Sequence, residues 1–232
     1  PASMTKIMTA LLTIENLPDL NETITVPEDI FEELTAQDAS VAGFNPYEQP
    51  TVRDLLYGVL LPSGADACET LARAVGGSEE GFVAMMNQKA EELGLTNTHF
   101  ENCTGLHNDN HYSTCRDIAV LMSECLKSDT FREIVTREVY TTEATASHPE
   151  GITLYDTMLH RFTSYEMSTT LENGAVIEGG KTGFTDEAGQ CLVSFAEYGG
   201  EEYILVTAEA MTDSGSAVDS IADASTVYGR LQ

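Results

Sequence analysis

The chain begins PASMTKIMTALL (residues 1–12). Its apolar residues Met4, Ile7, Met8, Leu11 and Leu12 recur at the spacing of one helix face. Ser3 and Lys6 stand outside that apolar stripe, three residues apart, so a helix brings their side chains together. A serine hydroxyl becomes a useful nucleophile once a neighbouring base removes its proton. Lysine is that base only when neutral, and its reference pKa of about 10.4 must then be lowered by desolvation or by a second cation. A helix start also aims amide N–H groups at Ser3, where negative charge would develop.

Outward from this stretch, helices separated by irregular segments dominate the chain up to about residue 139. The first helix fades near Asn16, before Pro18. ETITV (22–26) reads as a short strand, and residues 27–50 as mostly irregular. TVRDLLYGVLL, with Thr51 as N-cap, reads as a helix broken at Pro62-Ser63-Gly64. ADACETLARAV follows and stops at Gly76-Gly77, and Ser78 caps a third helix that runs to Gly94. Residues 95–113 form a polar loop before a helix over 114–127. Beyond about residue 139 the character changes. VYTTEAT, GITLY, GAVIEGGKTGF, GQCLVSFAEY and EEYILVTAEA read as extended, the last two joined by the hairpin signal Gly199-Gly200. SAVDSIADASTVYGRLQ closes the chain as a helix. Helices segregated from antiparallel strands predict an α+β domain.

The totals bound the function. The 232 residues are 42% apolar, enough for a sizeable core, with no uninterrupted apolar run of membrane-spanning length. Eleven basic against 38 acidic residues leave a formal charge of −27, scattered along the chain. Such a surface repels nucleic acid and anionic lipid, and no membrane tether is visible. The five cysteines lack metal-ligand spacing and read as small, mostly buried hydrophobes. His107, Asp109 and His111 sit in a turn-rich loop without an evident third ligand, so no metal is expected there.

Two further stretches give Ser3 and Lys6 weight. LLPSGADA sets Ser63 at a sharp break between helices. EGGKTGFTDEAG sets Lys181-Thr182-Gly183 on a strand whose glycines allow another backbone to approach and pair. The motifs S-x-x-K, S-G-x and K-T-G in this order resemble those of the serine D-alanyl-D-alanine carboxypeptidases, the low-molecular-mass penicillin-binding proteins. GLHNDNHYSTCRDIAVL and GGKTGFTDEAGQCLVSFA extend the resemblance over most of the chain.

The resemblance implies a penicillin-binding-protein/β-lactamase-like transpeptidase fold. Residues 1–232 would form one catalytic domain of two lobes, the helical lobe spanning about 27–138. The family's sheet begins with strands ahead of S-x-x-K that this chain lacks, so an exposed sheet edge is expected. By the same resemblance Ser3 is the acylated nucleophile, Lys6 its base and Ser63 a proton relay. Lys181 and Thr182 hold the substrate's terminal carboxylate, Gly183 permits close approach, and the Ser3 and Thr185 amides form the oxyanion hole. Arg161, in His160-Arg161-Phe162, is a further candidate for that carboxylate.

The implied reaction removes the terminal D-alanine from peptidoglycan stem peptides through an acyl-enzyme, without a cofactor and outside the cytoplasmic membrane. β-Lactams would be covalent inhibitors. One departure stands out: Ala65 occupies the position where the family usually carries asparagine, and Asp66, one residue on, is not expected to replace it. Two alternatives stay open. A class A-like β-lactamase would need a glutamate motif, E-x-x-L-N, that is absent here, and a non-catalytic muropeptide- or penicillin-binding module is favoured by Ala65.

Overall fold

The structure, a computed structural model, describes residues 1–210 and 218–232. Ser3 lies in a short 3-10 helix, Ala2–Thr5, and the regular helix α1 starts only at Lys6 (Lys6–Asn16). The expected helix start at Ser3 is therefore a tighter turn, in which residues three apart eclipse one another. Every α1 residue from Lys6 to Thr13 is buried, so α1 is the central helix of the domain rather than a half-exposed one.

Around α1 pack α3 (Val52–Leu60), α4 (Ala65–Gly76), α5 (Glu79–Glu92), α6 (Cys115–Cys125) and α7 (Asp129–Val135), and α2 (Ile30–Ala36) packs on α4. Local chemistry sets several of their starts. Thr51 and Asp54 form a reciprocal capping box, an arrangement worth about 1 kcal/mol. Ser78, Thr114 and Ser128 each accept from an amide three residues on. Two expectations are corrected. ETITV is not a regular strand: it makes one isolated bridge, Thr23 to Thr51, and its other backbone bonds run to the irregular stretch ahead of α3, Ile24 N–H to Pro50 O at 3.0 Å and Val26 N–H to Glu48 O at 2.9 Å. The segment 27–50 holds the seven-residue α2, anchored on the core by Ile30 and Leu34. This spacing is too short to show as a stripe.

After α7 come a small ribbon, β1 (Val139–Thr141) with β2 (Thr153–Tyr155), and then α8 (Thr157–Ser164). The second sheet is antiparallel in the order β3 (Val176–Thr185), β4 (Gly189–Tyr198), β5 (Glu201–Ala210). Its hairpin turns at Gly199-Gly200, both at positive φ where glycine is unstrained. Helix α9 (Asp219–Tyr228) ends the chain, and the first residues of the predicted terminal helix, 216–217, lie outside the described residues.

β4 is buried on both faces, which is why CLVSFA reads as a continuous apolar run. Cys191, Val193 and Phe195 face the helical core, whereas Leu192 and Ala196 join Met158, Phe162, Ile221, Ala224 and Tyr228 in a second core under α8 and α9. The sheet is thus held between two helical layers. Its outer strands among the described residues are β3 and β5, and β3 carries the K-T-G motif.

Candidate active site

Lys6 Nζ lies 3.1 Å from Ser3 Oγ and donates to the carbonyl of Thr104 at 2.6 Å. Thr104 sits in the 95–113 loop, whose backbone is tied to α1 again where Thr9 Oγ1 donates to the Cys103 carbonyl at 2.6 Å. The lysine is buried (3% exposed), and burial lowers its pKa below the ordinary lysine range. The nearby Cys68, Cys103 and Asp66 act in the opposite sense. Desolvation disfavours the ammonium, so Lys6 is shifted toward the neutral amine that can accept the Ser3 proton.

The K-T-G strand crosses directly over this turn. A Cβ placed on Gly183 would lie 3.0 Å from the Ser3 nitrogen and 3.2 Å from the Met4 nitrogen, so only glycine allows this approach without a shift. Lys181 and Thr182 are both buried. Burial first, and the charge of Lys6 second, push Lys181 down to about 7, while Asp156 acts to raise it. Burial thus leads for both lysines, and the second cation that the sequence suggested for Lys6 instead shows its effect on Lys181.

Ser63 follows α3 and precedes α4. It adopts φ 67°, a left-handed conformation that costs a serine about 1–2 kcal/mol. Its Oγ is buried and makes no hydrogen bond, the one orphaned hydroxyl among the predicted site residues. Backbone strain and an unpartnered buried hydroxyl at one residue each cost stability that the surrounding structure must offset. Gly64 next to it packs against the Ala42 backbone, where a Cβ would come within 2.7 Å.

Ala65 is buried, and its amide donates to Ser40 O at 2.7 Å. Asp66 does not stand in for the missing asparagine. Its two oxygens accept from the amides of Ala42, Gly43, Phe44 and Ala67, all between 2.7 and 3.1 Å. That carboxylate fastens the 42–44 loop beside Ser63 and has no capacity left for a substrate.

Thr185 lines a cavity of about 240 Å³ together with Ala2, Gly105, His107 and His111. Arg161 lies on α8, partly buried, and its charge and that of Asp156 both act on Lys181. Ser3 and Lys6, at the start of the chain, thus meet under Gly183 of β3, whereas Arg161 stands on α8 in the second helical layer and is linked to Lys181 by charge.

A family profile described as D-alanyl-D-alanine carboxypeptidase matches residues 1–212. The chain belongs to that family. It is 36% identical over 213 residues to DacF of Bacillus subtilis, covering 91% of this chain and 51% of that protein. It is 37% identical over 210 residues to the D-alanyl-D-alanine carboxypeptidase of a Streptomyces species, covering 87% and 69%. The chain thus spans about half the length of the Bacillus relative. A crystal structure of a Streptomyces DD-transpeptidase superimposes with TM-score 0.81 at 32% identity, over 98% of this chain and 86% of that one. A Mycobacterium tuberculosis D-alanyl-D-alanine carboxypeptidase superimposes with TM-score 0.78 at 28% identity, over 99% and 81%. The fold is therefore that of the DD-peptidases, α+β with an antiparallel sheet packed by helices.

Within this family fold, several residues that sequence reasoning passed over frame the site. Thr104 supplies the carbonyl that holds Lys6. Gly105 (φ +85°) packs so tightly on Ala2 that a Cβ would clash at 1.9 Å. Asp156 caps α8 by accepting from the Met158 and Leu159 amides, and burial lifts its carboxyl well above the usual range. Thr157 Oγ1 lies 2.7 Å from Thr182 Oγ1. The T-G of 104–105 and the D-T of 156–157 carry no local signal that separates them from ordinary turn and cap residues.

The histidine loop resolves into unrelated contacts. His111 Nδ1 accepts from the Glu101 amide at 3.2 Å, which leaves Nε2–H to donate to Thr5 Oγ1 at 2.8 Å. His107 faces Asp109 and Glu187 at the surface. One group among the described residues has ligand-type atoms within 4.8 Å of one another: Glu69, Glu79 and Cys103. It is already internally bonded, with the Cys103 amide donating to Glu79 and the Cys103 thiol to Glu69. Burial and the neighbouring Glu79 push the Glu69 carboxyl up to about 8. No helix of the described residues is long and apolar enough to cross a membrane.

Proposed function

We propose that this chain is the catalytic domain of a serine D-Ala-D-Ala carboxypeptidase that trims peptidoglycan stem peptides outside the bacterial cytoplasmic membrane. The observation that carries the reading is the contact of Ser3 Oγ with the buried, pKa-lowered amine of Lys6 beneath the K-T-G strand.

In this reading the stem peptide lies along β3 as an added strand, and its terminal carboxylate meets Lys181 and Thr182, with Arg161 alongside. An incoming carboxylate restores the charge of Lys181, whose pKa is depressed to about 7 in the free site. Ser3 attacks the carbonyl of the penultimate D-alanine as its proton passes to Lys6. The developing oxyanion is met by the Ser3 and Thr185 amides. The proton returns through Ser63 to the departing D-alanine nitrogen, for which its unpartnered hydroxyl is free. Water then takes up the acyl group by the same path in reverse. β-Lactams would acylate the same oxygen, and no cofactor takes part.

The test is intact-protein mass spectrometry after exposure to benzylpenicillin, with D-alanine release from a pentapeptide measured in parallel. A single adduct that disappears in Ser3→Ala, with D-alanine release, supports the reading. Rapid penicillin turnover would point to a β-lactamase, and reversible binding without an adduct to a non-catalytic module.

A further inference from the structure

Thr157 belongs to none of the three motifs, yet its position ties two of them together. Its amide donates to the Leu61 carbonyl at 3.1 Å, immediately before Pro62-Ser63. Its hydroxyl lies 2.7 Å from that of Thr182 in K-T-G. The residue before it is equally fixed. The Asp156 amide donates to Glu138 O at 2.8 Å, and its buried carboxylate accepts from the Met158 and Leu159 amides at 2.9 and 2.7 Å. Thr157 is therefore the first residue of a helix anchored on both sides, and its side chain is only partly buried.

We propose that Thr157 is a positioning residue for recognition of the substrate's terminal carboxylate, acting through the hydroxyl of Thr182. The inference rests on the carboxypeptidase reading given above. A carboxylate offers only acceptors. Thr182 can donate to it only if its single proton is not spent on Thr157. The 2.7 Å contact must then run from Thr157 O–H to Thr182 oxygen, leaving the Thr182 proton for the carboxylate. Such a donor chain is polarised in one direction and strengthens the outer bond. Because both ends of the chain sit on anchored backbone, little side-chain freedom is lost when substrate arrives. Arg161 stands one helical turn further along α8, at i+4, so α8 would present a hydroxyl and a guanidinium toward the same anion.

The test compares the parent with Thr157→Val, which keeps the shape and removes the donor, and Thr157→Ser, which keeps the donor. Benzylpenicillin and its methyl ester, which lacks the anion, are the probes. A D-Ala-D-Ala pentapeptide gives KM and kcat separately. The expected result for Thr157→Val is an about five- to tenfold lower acylation rate constant with benzylpenicillin. The ester rate should stay within about twofold, KM should rise while kcat is kept, and Thr157→Ser should restore the parent values. Equal loss with both probes, or loss in Thr157→Ser as well, would show Thr157 to be a general structural support and overturn the proposal. So would no change with either probe. If the parent itself is acylated by neither probe and releases no D-alanine, the carboxypeptidase reading fails, and this proposal fails with it. A parent that is active and a Thr157→Val variant that is indistinguishable from it sinks the proposal alone.

Discussion

Gly183 and Ser3 meet backbone to backbone: a methyl group on the glycine would sit 3.0 Å from the serine nitrogen. The nucleophile's turn and the K-T-G strand are therefore a single packed unit, although 180 residues separate them in the chain. Gly183→Ala should push the two apart by a few tenths of an ångström. We expect benzylpenicillin acylation to fall about tenfold or more, since small misplacements of reacting groups are costly, while the melting temperature changes little. Stopped-flow acylation and thermal melts read the two effects, and an unchanged rate would show that the close approach has no bearing on the chemistry.

Lys6 and Lys181 are needed in opposite charge states. Lys6 acts as a base when deprotonated, so activity is lost as pH falls through its lowered pKa. Lys181 holds a carboxylate when protonated, so binding weakens as pH rises through about 7 in the free protein. The pH profile of kcat/KM for carboxylate substrates should be bell-shaped. With benzylpenicillin methyl ester the alkaline limb assigned to Lys181 should vanish. Lys6→Met should lower acylation by at least about a hundredfold at every pH.

His111 gives a stability signature. Burial leads the causes that hold it down to about 3, far below its ordinary value near 6.5. Its Nδ1 already accepts the Glu101 amide, so protonation there would break that bond. The folded-state pKa lies below the unfolded one, so the contribution to stability is present above about 6.5. It is lost progressively as pH falls from there toward 3, by at most ~1.4 kcal/mol per pH unit. Urea midpoints at several pH values should decline less steeply in His111→Gln than in the parent. Parallel curves would refute the assignment.

The thiols should be sharply unequal. Cys68, Cys103, Cys125 and Cys191 are buried, and burial raises the pKa of each, whereas Cys115 is exposed at the start of α6. Iodoacetamide at pH 8 should label Cys115 alone in the native protein and all five cysteines in denaturant, read by peptide mass spectrometry. Native labelling of Cys68, which lies within electrostatic reach of both lysines, would mean that the site opens.

The sequence by itself determined the segregation of helices from strands, the breaks at Ser63 and Gly199-Gly200, the caps at Thr51 and Ser78, and the pairing of Ser3 with Lys6. Each of these follows from periodicity, capping or spacing within a few residues, where the chain's own geometry decides. Motif order pointed to Ser63 and Lys181-Thr182-Gly183, because spacing of that kind records a shared ancestry. Only the tertiary structure decided that Thr104 holds Lys6, that Gly105 seats Ala2, and that Thr157 meets Thr182 of the K-T-G strand. These contacts join residues 25 to about 100 positions apart through a carbonyl, a missing Cβ and a hydroxyl. Groups so common leave no mark in a sequence, and what they do is set by what the fold brings beside them.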